Sequence, residues 1–249
     1  MGFAPERIEA IVFDVIGTLV DEETAWARSA RAVAEVAGLA DAGPFGARWA
    51  ELLEQRMDAV VSGDAPWRPH RQLVGEAARQ AVRDVAARPG RGPSAKGSAN
   101  GSGDGRELLD AVAEIAGAVD REYAAWPEVA AATAALRRTR VVAGVSNGDL
   151  DSLARVANAS AISWDVVLST GAVQTFKPDP AAYRYAIDTL GLDPALTLFV
   201  ASHPWDLRAA AEHGFRTAYV ARSGAERPSA DDRFDLEVGD LSELVERLG

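Results

Sequence analysis

The chain has 249 residues, no cysteine and a formal net charge of −11. That acidity repels phosphate backbones and anionic lipid, which argues against nucleic-acid and membrane partners. The missing cysteines exclude disulfides, thiolate metal sites and a cysteine nucleophile. Hydrophobic residues make up 48% and charged residues 25%, a globular balance that suits one large domain or a core domain carrying a smaller one. No apolar run approaches the roughly 20 residues of a spanning helix. The N-terminal MGFAPERIEA lacks the basic-then-apolar order of a secretory leader, so a cytoplasmic protein is expected.

Taken in chain order, Ile8 to Asp14 (IEAIVFD) reads as a short buried parallel strand that delivers an acid to the sheet edge before the Gly17-Thr18 turn. From Asp21 to Ala125 strand-like runs disappear, and apolar residues recur at helical spacing, as in Trp49, Leu52, Leu53, Arg56, Met57 and Val60. An all-helical insertion is expected there, forming a cap over the carboxyl edge of the sheet, where ligands of open α/β folds bind. Inside it, residues 88–105 (RPGRGPSAKGSANGSGDG) are expected to form a mobile loop, because Gly, Ser and Pro bury too little apolar surface to offset the entropy of ordering.

Beyond Ala125 the pattern alternates. Strands are expected at Arg140–Ser146, Asp165–Ser169, Leu196–Ala201 and Arg216–Val220. Helices are expected at Glu128–Arg138, Leu150–Asn158, Pro180–Leu190, Trp205–His213 and Leu241–Leu248. Such alternation predicts an α/β protein with a Rossmann-like, doubly wound parallel sheet. Residues 1–20 and 126–249 would form the core and 21–125 the helical cap. No internal repeat is present.

The chemistry concentrates where strands end. In FDVIGTLVD, Asp14 follows a strand and can serve as a rigid, exposed nucleophile; Thr18 can hydrogen-bond it, and Gly17 lets the chain turn close to a substrate. The plainer alternative is an Asp capping an ordinary turn. Ser146, Asn147 and Gly148 offer a hydroxyl, an amide and backbone N–H groups to an anion, or simply make a Ser-Asn-Gly turn. Lys177, in FKPDP, can neutralise and orient Asp14, or be solvated. Asp206, in the first turn of a helix, can activate water or merely favour the helix dipole.

FDVIGTLVD, GVSNG, LSTGAVQTFKPDPAAY and VASHPWDLRAA resemble, in that order, the four motifs of the haloacid dehalogenase superfamily. LSTGAVQTFKPDP and ASHPWDL are similar to the L-2-haloacid dehalogenase branch, as is the cap segment FGARWAELLEQRM…SGDAPW. The resemblance extends over the whole chain except the Gly/Ser-rich insertion. It implies a hydrolase that releases halide from an (S)-2-halocarboxylate: Asp14 displaces the halide and forms an aspartyl ester, which water then opens to a 2-hydroxy acid. It further implies that Ser146 and Asn147 hold the substrate carboxylate, Lys177 offsets charge near Asp14, and Asp206 positions or activates the water. Tyr183 matches an aromatic site residue of the family, with core packing as its alternative. The resemblance also suggests a homodimer, for which no segment here is diagnostic.

Departures from the pattern are informative. Phosphatases of the superfamily carry a general-acid aspartate two residues after the nucleophile and a Gly-Asp pair in the last motif; here these positions hold Ile16, Ala201 and Ser202. A site so made is expected to need no metal and no cofactor. The dehalogenases usually place Tyr at the substrate-facing position of Ile16, Asn at that of His203, and a halide-binding Arg at that of Ala50. His203 could donate to a leaving group, or help start the helix at Pro204. Arg48 lies two residues from Ala50 and so on the opposite helix face, leaving Arg31, Arg56 or Arg68 as cap arginines that could enter the site. The departures keep open a phosphate-ester hydrolase and a non-catalytic binding protein of the same fold. Substrate, halogen and enantiomer stay open too.

Overall fold

The computed structural model describes residues 3–87 and 102–249. The chain divides into two compact units, one made from its two ends, Met1–Glu22 and Tyr123–Gly249, and the other from the contiguous segment Glu23–Glu122.

The first unit is a parallel sheet of six strands: β1 (Ala10–Phe13), β2 (Val141–Ser146), β3 (Val166–Ser169), β4 (Thr197–Ala201), β5 (Arg216–Val220) and β6 (Leu236–Val238). Their order is β3-β2-β1-β4-β5-β6. Strands β1 and β4 lie at the centre and are buried at every residue, as a sheet covered on both faces requires. The order of the strands reverses between β1 and β4, which opens the crevice where such sheets bind ligands. Phe13 pairs in register with Val200, so Asp14 and Ala201 leave the sheet side by side.

Five helices accompany these strands: α5 (Val129–Leu136), α6 (Leu150–Ser160), α7 (Pro180–Leu190), α8 (Pro204–Glu212) and α9 (Leu241–Leu248). Asp179 caps α7 by accepting from the Ala181 amide at 2.7 Å, with Pro180 in the first position where no N–H is needed. Helices α7 and α8 supply Tyr183, Leu207 and Ala210 to a cluster that buries Val12, Phe199 and Phe215. Burial of large apolar side chains, at about 25 cal/mol per Å², holds the helices to the sheet.

The second unit contains α1 (Glu22–Val36), α2 (Ala42–Val61), α3 (His70–Ala86) and α4 (Ser102–Gly117), and no strand among its described residues. Phe45, Trp49, Leu52 and Leu53 are the buried stripe of α2. Trp49 is fully buried, stacks with Phe45, packs tilted against Trp26, and satisfies its indole N–H on the Val74 carbonyl at 2.9 Å. Helices α3 and α4 approach closely at Gly75, where a Cβ would stand 3.1 Å from the Ala113 carbonyl.

Several boundaries differ from the expectation. Strand β1 starts at Ala10 rather than Ile8, because Pro5–Arg7 form a 3-10 turn that ends on Ile8. Strand β6 has three residues at the sheet edge, too short for an alternating pattern to register. Residues 102–105, expected as the end of a loop, begin α4; elongation adds a backbone hydrogen bond per residue and carries a helix through poor helix formers once its apolar part is fixed. The remainder of the expected mobile loop, 88–101, lies outside the described residues. Among the described residues, no helix is long and apolar enough to cross a membrane.

Candidate active site

Asp14 follows β1 directly, at the crevice, and is 4% exposed. Each of its carboxylate oxygens has a fixed donor. Lys177 Nζ donates to Oδ1 at 2.7 Å, and the Thr18 hydroxyl donates to Oδ2 at 2.7 Å. The Thr18 hydroxyl in turn accepts from the Ser202 amide at 2.9 Å, and Ser202 Oγ donates to the Gly17 carbonyl at 3.0 Å. Ser202 follows β4, so the pairing of β1 with β4 sets the orientation of the carboxylate. Charge-assisted hydrogen bonds of this kind are the strong ones.

Lys177 is buried, its side chain 2% exposed, and its ammonium bridges two acids, donating to Asp14 Oδ1 and to Asp206 Oδ2. Asp206, in the first turn of α8, is fully buried, and its other oxygen accepts from the Tyr183 hydroxyl at 2.6 Å. Burial pulls the Lys177 ammonium toward neutrality, but Asp14 and Asp206 outweigh that and hold its pKa above the ordinary lysine value. Burial drives Asp206 upward, and the Asp14 charge adds to this while Lys177 offsets only part of it. The two directions compete for one proton. The ammonium stays charged, since two carboxylates face it, and Asp206 takes a proton more readily than a solvated aspartate. Tyr183 is pushed above its ordinary value, by burial first and by Asp206 second, so its phenol stays protonated and donates.

Ser146 and Asn147 end β2, beside β1. Ser146 is buried and accepts from the Gly148 amide at 3.2 Å. The Asn147 amide ties two loops together: Oδ1 accepts from the Lys177 backbone N–H at 2.7 Å and from Thr170 Oγ1 at 3.2 Å, and Nδ2 donates to the Lys177 carbonyl at 3.3 Å. Asn147 therefore fixes the backbone from which the Lys177 side chain extends. Ile16 is half-buried, and a Cβ on Gly148 would come 3.0 Å from its Cδ1. His203 precedes α8 but makes no side-chain cap. Its Nε2 lies 3.2 Å from the Ile16 carbonyl, to which it can donate, and 3.7 Å from Asp14 Oδ2. Gly17, at φ +83°, is required here twice over: for the left-handed turn, and because a Cβ would stand 2.6 Å from His203 Nε2.

The structure thus brings Asp14, Thr18, Lys177, Tyr183, Asp206 and His203 into one linked group, with Asn147 joined to it through the Lys177 backbone. Within the helical unit, Ala50 is exposed on α2, and Arg48 is engaged by Asp84 at 2.7 Å and Glu51 at 2.9 Å. Arg68 pairs with Glu76, Arg56 donates to the Leu52 carbonyl of its own helix, and Arg31 is exposed on α1.

The scaffolding roles of Ser202 and Thr170 were not legible in the sequence; the only signal was a hydroxyl directly after an apolar strand run. Among the described residues, no group of three or more His, Asp or Glu side chains is placed to hold a metal ion. The donor set does not fit Mg²⁺, which asks for several hard oxygens: position 16 is a hydrocarbon, Asp206 spends both oxygens on Lys177 and Tyr183, and Asp14 is held by Lys177 and Thr18.

A family model described as a haloacid dehalogenase-like hydrolase matches residues 8–214. The chain is 26% identical to (S)-2-haloacid dehalogenase 1 of Pseudomonas sp. (strain CBS-3) over 98% of this chain and 97% of that protein. It is 34% identical to (S)-2-haloacid dehalogenase 4A of Burkholderia cepacia over 50% of this chain and 55% of that protein. With this and similar curated relatives, the match spans about half of the relative's length. Among solved structures, a defluorinating L-2-haloacid dehalogenase superimposes with a TM-score of 0.78 at 27% identity, covering 100% of this chain and 99% of the other. Another L-2-haloacid dehalogenase gives 0.74 at 29% identity over 97% of this chain and 98% of the other.

Proposed function

The chain belongs to the haloacid dehalogenase-like hydrolase family, and from that premise we propose that it is an (S)-2-haloacid dehalogenase working through an aspartyl ester. An Asp14 oxygen attacks C2 of a 2-halocarboxylate in line with the carbon–halogen bond, and the halide leaves with the bonding pair. Lys177, held by both acids, keeps the nucleophile ionised and orients it. Asp206 then takes a proton from water as that water attacks the Asp14 carboxyl carbon. The acyl C–O bond breaks, the departing 2-alkoxide takes that proton back from Asp206 to give the 2-hydroxy acid, and the Asp14 carboxyl, re-formed with the water oxygen, releases the remaining water proton to solvent. Ser146 and Asn147 receive the substrate carboxylate, Ile16 borders the substrate, Tyr183 acts from the core through its hydrogen bond to Asp206, and His203 receives the departing halide in the role that Ala50 cannot fill. The core carries the chemistry, and the helical unit acts as its cap.

The observation that carries this reading is the Lys177 ammonium bridging Asp14 and Asp206. Bridged in this way, the two carboxylates suit a nucleophile and a base rather than a pair of metal ligands. Ile16 contributes no proton to a leaving group, and a halide needs none. The requirement fits the residues.

Halide release over a panel of 2-halo acids, with phosphate release from an aryl phosphate measured alongside, tests the proposal. Halide without phosphate is expected. In a single turnover in H₂¹⁸O, the label should enter the Asp14 carboxylate, and Asp14→Asn should release no halide while keeping its fold. Label found only in the product would overturn the covalent route.

A further inference from the structure

Two short crossings join the core to the helical unit, residues 19–22 leading out and 123–126 leading back. They pair with each other: the Asp21 amide donates to the Ala124 carbonyl at 2.8 Å, the Trp126 amide donates to the Leu19 carbonyl at 3.1 Å, and Val20 bridges Ala125 antiparallel. One side chain, from just past the strand two places from β1, meets the residue just ahead of the first crossing and the residue that closes the second. Arg222 lies two residues beyond β5, with its side chain 5% exposed. Its Nε donates to the Thr18 carbonyl at 2.8 Å, its Nη1 donates to the Glu128 carboxylate at 2.6 Å, and its guanidinium carbon stands 5.1 Å from the centre of the Trp126 ring. Glu128 also accepts from the Leu241 amide at 3.5 Å, which ties this group to the start of α9.

We propose that Arg222 is a positioning residue for the nucleophile: it clamps both crossings to the end of β5 and so fixes the loop whose Thr18 hydroxyl orients Asp14. The chain of contacts is short. Arg222 holds the Thr18 carbonyl, and the hydroxyl of the same residue holds Asp14 Oδ2. An arginine suits the task because its flat fork presents separate nitrogens to a carbonyl and a carboxylate while its face lies on an aromatic ring. A lysine has one nitrogen and no such face, and can serve the three partners only in part. The effect on turnover rests on the dehalogenase reading; the clamp itself does not.

Hydrogen exchange and kinetics on Arg222→Lys test this. Amides in 17–22 and 123–126 should exchange about tenfold faster or more, while those of β1 and β4 stay protected. For halide release, kcat should fall about tenfold or more with KM within about twofold, since the loop orients the nucleophile rather than binding substrate. Should Arg222→Lys not fold, Arg222→Met with Glu128→Gln removes both charges together and avoids stranding a buried carboxylate; the same readouts are expected. A folded variant with unchanged exchange in the two crossings overturns the clamp, and faster exchange with wild-type kcat overturns its catalytic part. Faster exchange in an enzyme whose wild type releases no halide would uphold the clamp and sink the dehalogenase reading instead.

Discussion

Replacing Lys177 with Met keeps much of the side-chain length and removes the charge that two buried carboxylates share. Its bonds to Asp14 and Asp206 are charge-assisted, and such bonds are worth about 1.5–3 kcal/mol each. Breaking a buried pair by removing one partner costs about 3–5 kcal/mol. At about 2–4 °C per kcal/mol for a chain of this size, Tm should fall by about 6–20 °C near pH 8. The deficit should depend on pH. Asp206 loses the Lys177 influence that lowers its pKa, while burial and the Asp14 charge still raise it. A carboxyl whose pKa is higher folded than unfolded binds its proton more tightly when folded. Its stabilising contribution is complete below the unfolded value of about 3.9 and is lost as pH rises through the folded value. Urea unfolding followed by tryptophan fluorescence should therefore show a small deficit near pH 4.5 and a full one near pH 8. Adding Asp206→Asn to the variant should recover part of the loss at pH 8. A deficit of equal size at both pH values, or wild-type stability at pH 8, would refute the idea that this ammonium neutralises a buried acid pair.

Tyr183→Phe removes a donor from Asp206 without changing the shape of the core; since that hydrogen bond lowers the Asp206 pKa, the acid limb of ester hydrolysis should move to higher pH, and an unmoved limb would mean that Asp206 is not the base. His203→Ala should slow halide displacement about 10–100-fold, and more for chloro than for bromo acids, with little change in Tm; equal activity would place the leaving-group site elsewhere. Exhaustive chelation should leave halide release unchanged, and a loss restored by Mg²⁺ would favour phosphate-ester chemistry. These measurements need only purified protein and a halide assay.

The fold was legible wherever an apolar run ended on a polar turn. The runs ending at Asp14, Asn147, Ser169 and Ser202 announced β1 to β4, because a strand covered on both faces must be apolar along its length and polar only where it emerges. Strand β6 left no comparable trace: Leu236 and Val238 are buried on either side of an exposed Glu237, and a partner strand, not the three residues themselves, makes this segment extended. Within the candidate site, side chains that meet the reacting carboxylate could be named from motifs. Side chains that hold those side chains could not. Ser202 reaches Thr18 across 184 positions of sequence, and Arg222 reaches the same residue across 204; the strand order, with β4 beside β1 and β5 beside β4, decides both contacts, and spacing along the chain carries no record of that. Asn147 shows the intermediate case, since its place after β2 was evident and its grip on the Lys177 backbone was not.

The division of the chain into a contiguous helical unit and a core built from its two ends has a consequence for synthesis. Helices α1 to α4 contact one another locally and can condense as soon as they are made, for local contacts need little loop closure. The core has to wait. Its first strand is synthesised early, but β1 is flanked by β2 and β4, so it stays half-paired until the second neighbour has been translated. During that interval a fully apolar strand edge is exposed, the kind of surface on which nascent chains associate. An early-folding helical unit is therefore ordered while the first strand still waits, and variants that slow its folding should lower the yield of soluble protein before they touch the activity of whatever folds.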